Sequence, residues 1–248
     1  MQTEDLTFPG STGAALAGVL HRPDETARGS ILLAHCFTCG KDIHTMTRLA
    51  DALAQAGYAC LRFDFTGLGQ SGGDREDSTF AANIRDLVRA ATTLIERGFG
   101  PCGLVGHSLG GAAALAASHR LHTVRSMATI GAPSDADHVR HLFADEVDEI
   151  AAEGCRVVDI GGRPFPISQE FVDSLDTDLR LDEVDRPLLV VHAPDDEVVP
   201  YAEGLRIQQA VGGPVGLWPL IGADHLVTTR DCARDLAAVL VAWFDQTL

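Results

Sequence analysis

The stretch "GLVGHSLGGAAALAAS" (Gly103–Ser118) decides how the chain folds. A short apolar run passes through Gly106-His107-Ser108-Leu109-Gly110 into an alanine-rich segment, so G-x-S-x-G stands between a predicted strand and a predicted helix. A turn that sharp leaves no room for Cβ atoms beside its central residue, which is why glycine flanks Ser108. It delivers Ser108 to the carboxyl edge of a sheet, with the N–H groups of a helix N-terminus behind it. A plain Gly-rich strand–helix connection is the alternative reading of the same residues.

A serine hydroxyl is a weak nucleophile until a base takes its proton, so a histidine held by a carboxylate should follow in the chain. "LLVVHAPDDEVVP" (188–200) ends a predicted strand and offers Asp195, Asp196 and Glu197, and "LIGADHLVT" (220–228) supplies His225. D-x-x-V-P at the end of this strand resembles the usual register of serine hydrolases, which favours Asp196, with Asp195 as the alternative. Asp224 adjoins His225, and neighbouring side chains diverge. His35, His107 and His192 lie at strand ends or beside Ser108 and read as hydrogen-bonded structural residues, with His107 also a candidate for the pocket wall. His138 and His141, three residues apart, fall one ligand or more short of a zinc site, so no metal is expected.

Working outward, short β-rich runs alternate with helical periods. A hairpin is expected within residues 4–23, and strands in "SILLAH" (30–35), "YACLRFDF" (58–65), "CGLVGH" (102–107), "VRSMATIGA" (124–132), "PLLVVHA" (187–193) and "PVGLWPL" (214–220). Pro219 places the last at an edge or ends it early. Met46, Leu49, Ala50 and Leu53 recur at helical spacing, as do Phe80 to Ile95 and Leu236 to Phe244. This rhythm predicts an α/β fold, a mostly parallel sheet of about eight strands covered on both faces by helices. Residues 133–186 break it, being too long for a simple crossover. They read as a small cap within a single domain spanning 1–248: a helix capped by Ser134 with Asp137, a hairpin turning at Gly161-Gly162, and a short helix in "SQEFVDSL". Phe143, Phe165 and Phe171 are candidates to line an acyl pocket under that cap.

The chain has 248 residues, is 46% apolar and carries a formal charge of −16, with Lys41 its one lysine. Dispersed acidity argues against nucleic acid and anionic membranes as partners. No apolar run reaches the roughly 18 residues of a membrane span, and "MQTEDLTFPG" lacks the features of a secretory signal, so a cytoplasmic location is expected. Six cysteines are too few for a disulfide scaffold. Cys36 and Cys39 form a C-x-x-C pair in "LLAHCFTCGKD" (32–42) that reads as loop-packing thiols, a redox pair or half a zinc site.

The Ser108, Asp196 and His225 motifs resemble those of the α/β-hydrolase superfamily. "FDFTGLGQSGGD" (63–74) is similar to its D-x-R-G-x-G-x-S segment, with Thr66 in place of arginine. "AHCFTCGKD", "GHSLGGAA", "IGAPSDADHVRHLF", "GRPFPI" and "GADHL" further resemble a bacterial subgroup of serine hydrolases, found alone or fused to an OsmC-like domain; this chain reads as a stand-alone copy. The subgroup itself carries C-F-T-C. Members of the subgroup are labelled hydrolases or esterases, and the resemblance implies no physiological substrate. The residues themselves lead to the expectation of an esterase that needs no cofactor and acts, as a monomer or homodimer, on a small-molecule ester of small to medium acyl groups. Thioesters, amides and perhydrolysis would use the same parts. The resemblance implies an oxyanion hole from the N–H groups of Leu109, after the nucleophile, and Phe37, in the loop after the third strand. A thiol-based redox protein and a non-catalytic binding module are the alternatives.

Overall fold

A computed structural model describes residues 1–100, 102–160, 162 and 164–248. Among these residues one sheet of eight strands carries the fold. β1 (Gln2–Pro9) and β2 (Ala15–Arg22) form the expected hairpin. β3 (Ser30–Ala34), β4 (Ala59–Phe63), β5 (Cys102–His107), β6 (Val124–Ile130), β9 (Leu188–His192) and β10 (Val215–Pro219) are parallel, in the spatial order β1-β2-β4-β3-β5-β6-β9-β10. β3, β4, β5 and β9 are buried along their whole length, as apolar runs covered on both faces must be. β10, with Pro219, is the edge strand.

Helices complete the two faces. Leu49, Leu53, Leu236, Leu240 and Phe244 of α1 (His44–Gln55) and α7 (Arg230–Thr247) pack on one face with Ile31, Val105 and Val191. On the other, α2 (Phe80–Glu96) and α3 (Leu109–Ala117) pack with Leu32, Leu61 and Leu104. Every residue of α3 is buried, and its glycines and alanines let the helix lie against the sheet beneath α2. Thr79 caps α2, accepting a hydrogen bond from Ala82 N–H, and Thr229 caps α7.

Between β6 and β9 the chain forms a 3-10 stretch (Ala136–Glu146), α4 (Val147–Glu153), an antiparallel pair β7 (Cys155–Asp159) and β8 (Pro164–Ser168), and α5 (Gln169–Ser174). The hairpin matches expectation; Gly161 of its turn lies outside the described residues. The expected Ser134 cap is corrected. Asp135 accepts from Asp137 N–H to start the 3-10 stretch, while Ser134 donates to the Glu203 carboxylate. Asp135 is one residue nearer the helical backbone and reaches its N–H, whereas Ser134 is drawn to a neighbouring element. Phe143, Ile150, Phe165, Phe171 and Val172 join the apolar cluster of α2 and α3, so the insertion extends the main core. α6 (Tyr201–Ala210) links β9 to β10.

Candidate active site

The turn from β5 into α3 holds Ser108 at φ 55° and ψ −128°, a conformation costly for a residue with a Cβ. The flanking glycines permit it. A Cβ on Gly106 would lie 2.5 Å from Gly110 O, and one on Gly110 would lie 2.3 Å from His35 O. The serine turn and the loop after β3 therefore touch backbone to backbone, an approach only glycine allows.

Three loops from the carboxyl edge meet at Ser108. His225, between β10 and α7, stands with Nε2 3.0 Å from Ser108 Oγ and Nδ1 2.8 Å from Asp196 Oδ2. Nδ1–H donates to the carboxylate, which leaves Nε2 bare to accept the serine O–H. Asp196 is buried after β9 and Oδ1 accepts the Val198 and Val199 N–H groups at 2.9 and 2.8 Å. Burial pushes its carboxyl up, but His225 and these two amides outweigh burial and hold it below the usual carboxylate value. Asp195 and Glu197 are exposed, and Asp224 accepts from Thr228 N–H instead, so of the acids only Asp196 reaches His225 among the described residues.

The loop after β3 carries Phe37. No protein acceptor among the described residues takes the backbone N–H of Phe37 or of Leu109. His35 is buried, with Nδ1–H donating to Cys36 O at 2.8 Å and Nε2 accepting from Phe65 N–H at 3.4 Å. Cys36 and Cys39 are not free thiols: they are joined by a disulfide, with Cα atoms 5.4 Å apart. The loop's far end is fixed by Lys41, a residue the sequence marked only by its being the one lysine. Its buried ammonium donates to Asp64 at 3.1 Å, Asp42 at 2.8 Å and Gln70 at 2.8 Å, and its N–H donates to Asp64 at 2.6 Å. Thr66, standing where the motif has arginine, donates through N–H and hydroxyl to the buried Asp86.

A cavity of about 340 Å³ opens over Ser108 and His225. Cys36, Phe37, Thr38 and Cys39 form one side, and Val139, Leu142, Ile160, Val198 and Leu226 give the rest its apolar character, with His138 and His141 also on the wall. A larger cleft of about 590 Å³, lined by Asp135, Asp137, Asp176 and Asp182, lies away from Ser108, so the smaller cavity is the candidate site. Two expectations for the wall are corrected. Phe143, Phe165 and Phe171 do not line it: they are buried in the insertion's core, where aromatic faces escape water fully, and Phe37 stacks on Phe171 and meets Phe165 edge-on. His107 is fully buried behind His225 and bonds its carbonyl through Nε2 at 2.7 Å. Burial, with His225 adding to it, pulls the His107 pKa down to about 3, so the ring is neutral and Nε2–H is the donor. Its Nδ1 has no partner among the described residues. His192 likewise donates to Val199 O at 2.8 Å and supports the Asp196 turn from below.

A mostly parallel sheet with a serine turn at its carboxyl edge and histidine and aspartate loops converging on it defines an enzyme of the hydrolase class. The chain belongs to the alpha/beta hydrolase family, whose family model matches residues 31–239. It is similar in structure to the esterase domain of a protein from Rhodothermus marinus, at 38% identity and TM-score 0.79 over 98% of both chains. It also resembles alpha/beta hydrolase domain-containing protein 10 from mouse, at 21% identity and TM-score 0.81 over 98% of this chain and 99% of that one, a likeness of fold. By sequence it is 29% identical over 167 residues to the human palmitoyl-protein thioesterase ABHD10, mitochondrial, covering 62% of this chain. The chain spans about half the length of the curated relatives it matches, 53% of that human protein. Among the described residues no helix is long and apolar enough to cross a membrane.

Proposed function

We propose that the chain is a serine hydrolase that cleaves carboxylic esters of small to medium acyl groups through a covalent acyl-enzyme. The observation that carries this reading is the hydrogen-bonded series Ser108 Oγ, His225, Asp196 Oδ2, at 3.0 and 2.8 Å, whose Ser108 and His225 line an apolar cavity. Ser108 attacks the carbonyl as His225 Nε2 takes its proton. Asp196 keeps the ring in the tautomer with Nδ1 protonated and stabilises the imidazolium that forms. The Phe37 and Leu109 N–H groups, both without protein acceptors among the described residues, receive the oxyanion. His225 then returns its proton to the leaving group, and water activated by the same imidazole releases the acid. No step calls for a cofactor. The apolar wall favours a hydrocarbon acyl group and disfavours a charged one. A non-catalytic binding module would have no use for an ordered series of this kind.

The experiment is a substrate series: p-nitrophenyl acetate, butyrate and octanoate beside thioesters of the same acids, since one relative is named a thioesterase. Turnover should be greatest within the ester set and fall by about 10⁴-fold or more in Ser108→Ala. Undiminished turnover in Ser108→Ala overturns the mechanism, and faster cleavage of the thioesters reassigns the leaving group.

A further inference from the structure

We infer that the Cys36–Cys39 bridge is a thiol–disulfide exchange site within the substrate cavity, and that opening it by a low-molecular-weight dithiol loosens the loop carrying the Phe37 amide and slows hydrolysis. The effect on hydrolysis rests on the reading above; the exchange site does not. Both cysteines line the cavity that holds Ser108 and His225, and the other four cysteines are free. Cys36 is buried and Cys39 half-buried, so the Cys39 side of the bridge is the more open to an entering thiol.

The bridge spans two residues only, and each bears on the site. Thr38 sits at φ 59°, a region that β-branched residues avoid and that persists only where the surroundings impose it. Cys39 N–H donates to Cys36 O at 3.3 Å, closing the turn over Phe37 and Thr38. Phe37 is anchored outside the turn, its ring 4.9 Å from that of Phe171 and 5.1 Å from that of Phe165. The covalent bridge closes the same turn as the Cys39 N–H bond and so helps to hold the Thr38 conformation, and its loss lets the backbone relax with the Phe37 peptide inside the relaxing segment. Dedicated dithiol catalysts place such a pair at a helix N-terminus, which lowers the thiol pKa. Here α1 begins only at His44, so the pair acts on the loop and not as a dithiol oxidant.

The chemistry balances as ordinary exchange. A thiolate of the dithiol attacks Cys39 Sγ, the S–S bond breaks, and Cys36 leaves as a thiolate that takes up a proton. The second thiol of the reductant then attacks the mixed disulfide and frees Cys39, so two electrons pass to the bridge and the reductant becomes a disulfide.

The test treats the oxidised full chain with dithiothreitol, removes it without air, and reads three things. Iodoacetamide labelling under native conditions should find Cys36 and Cys39 open. Hydrogen exchange of the 37–40 amides should rise. With p-nitrophenyl butyrate, kcat should fall about tenfold at nearly constant KM, as expected when a transition-state contact is weakened. Oxidised glutathione should restore it, and Cys36→Ser/Cys39→Ser should stay at the lower rate and ignore dithiothreitol. A bridge that resists labelling in the native protein overturns the exchange site. An opened bridge with unchanged amide exchange and unchanged kcat overturns its action on the loop. If neither form hydrolyses any ester, the hydrolase reading fails, and labelling and amide exchange still decide this inference.

Discussion

At the scale of single residues, Asp195, Asp196 and Glu197 differ in which carboxylate turns inward. Asp196 is held by two amides and a histidine, while its neighbours face water. An amide at this position cannot accept Nδ1–H in the same way and admits the wrong imidazole tautomer. Asp196→Asn should therefore lower kcat by about 10⁴-fold with little change in far-UV circular dichroism. Because its folded pKa is depressed, the Asp196 carboxylate adds stability above its unfolded pKa and loses it as pH falls through the lower folded value.

At the scale of elements, two contacts add to the hold that Lys41 and the loop's own bridge have on the loop that carries Phe37. One is the backbone contact between α3 and the residues after β3, made at Gly110. Gly110→Ala forces a methyl group against His35 O and Ala34 O, and urea unfolding should register a loss of about 2–3 kcal/mol. The other is the aromatic contact between Phe37 and the insertion. Phe171 is buried and stacks on Phe37 with ring planes 13° apart. Phe171→Ala should cost about 3–5 kcal/mol in urea unfolding and, by freeing the Phe37 ring, reduce kcat more than it raises KM.

Across the whole molecule, burial of neutral histidines sets the response to acid. His21, His35, His107 and His192 are all buried, and burial is the largest cause lowering the pKa of each, to about 3 for His107. Below about pH 6.5 the unfolded chain binds protons on these rings that the folded chain refuses, so stability falls as pH falls. Each ring contributes a slope of at most about 1.4 kcal/mol per pH unit while its two states differ by a full proton. The net charge of −16 shrinks over the same range and acts in the opposite sense, so the comparison is made between variants. Between pH 7 and pH 4 the urea midpoint of His107→Gln should shift less toward instability than that of the wild type, by the share that His107 contributes.

The sequence alone determined the sheet and its helices, the serine turn, and the order in which serine, aspartate and histidine follow one another. These features are written in local terms: apolar runs of strand length, helical spacing, and glycines where a Cβ cannot fit. The remaining features came from the folding of distant segments onto one another. It bonded Cys36 to Cys39, buried His107 behind His225, and folded Phe143, Phe165 and Phe171 into the insertion's core and off the cavity wall. It also gave Lys41 its partners across the gap to Asp64. Each of these depends on which loops the parallel sheet brings together at its carboxyl edge, and on which side chains lose their water there. That juxtaposition links residues far apart in the chain, and no local pattern encodes it.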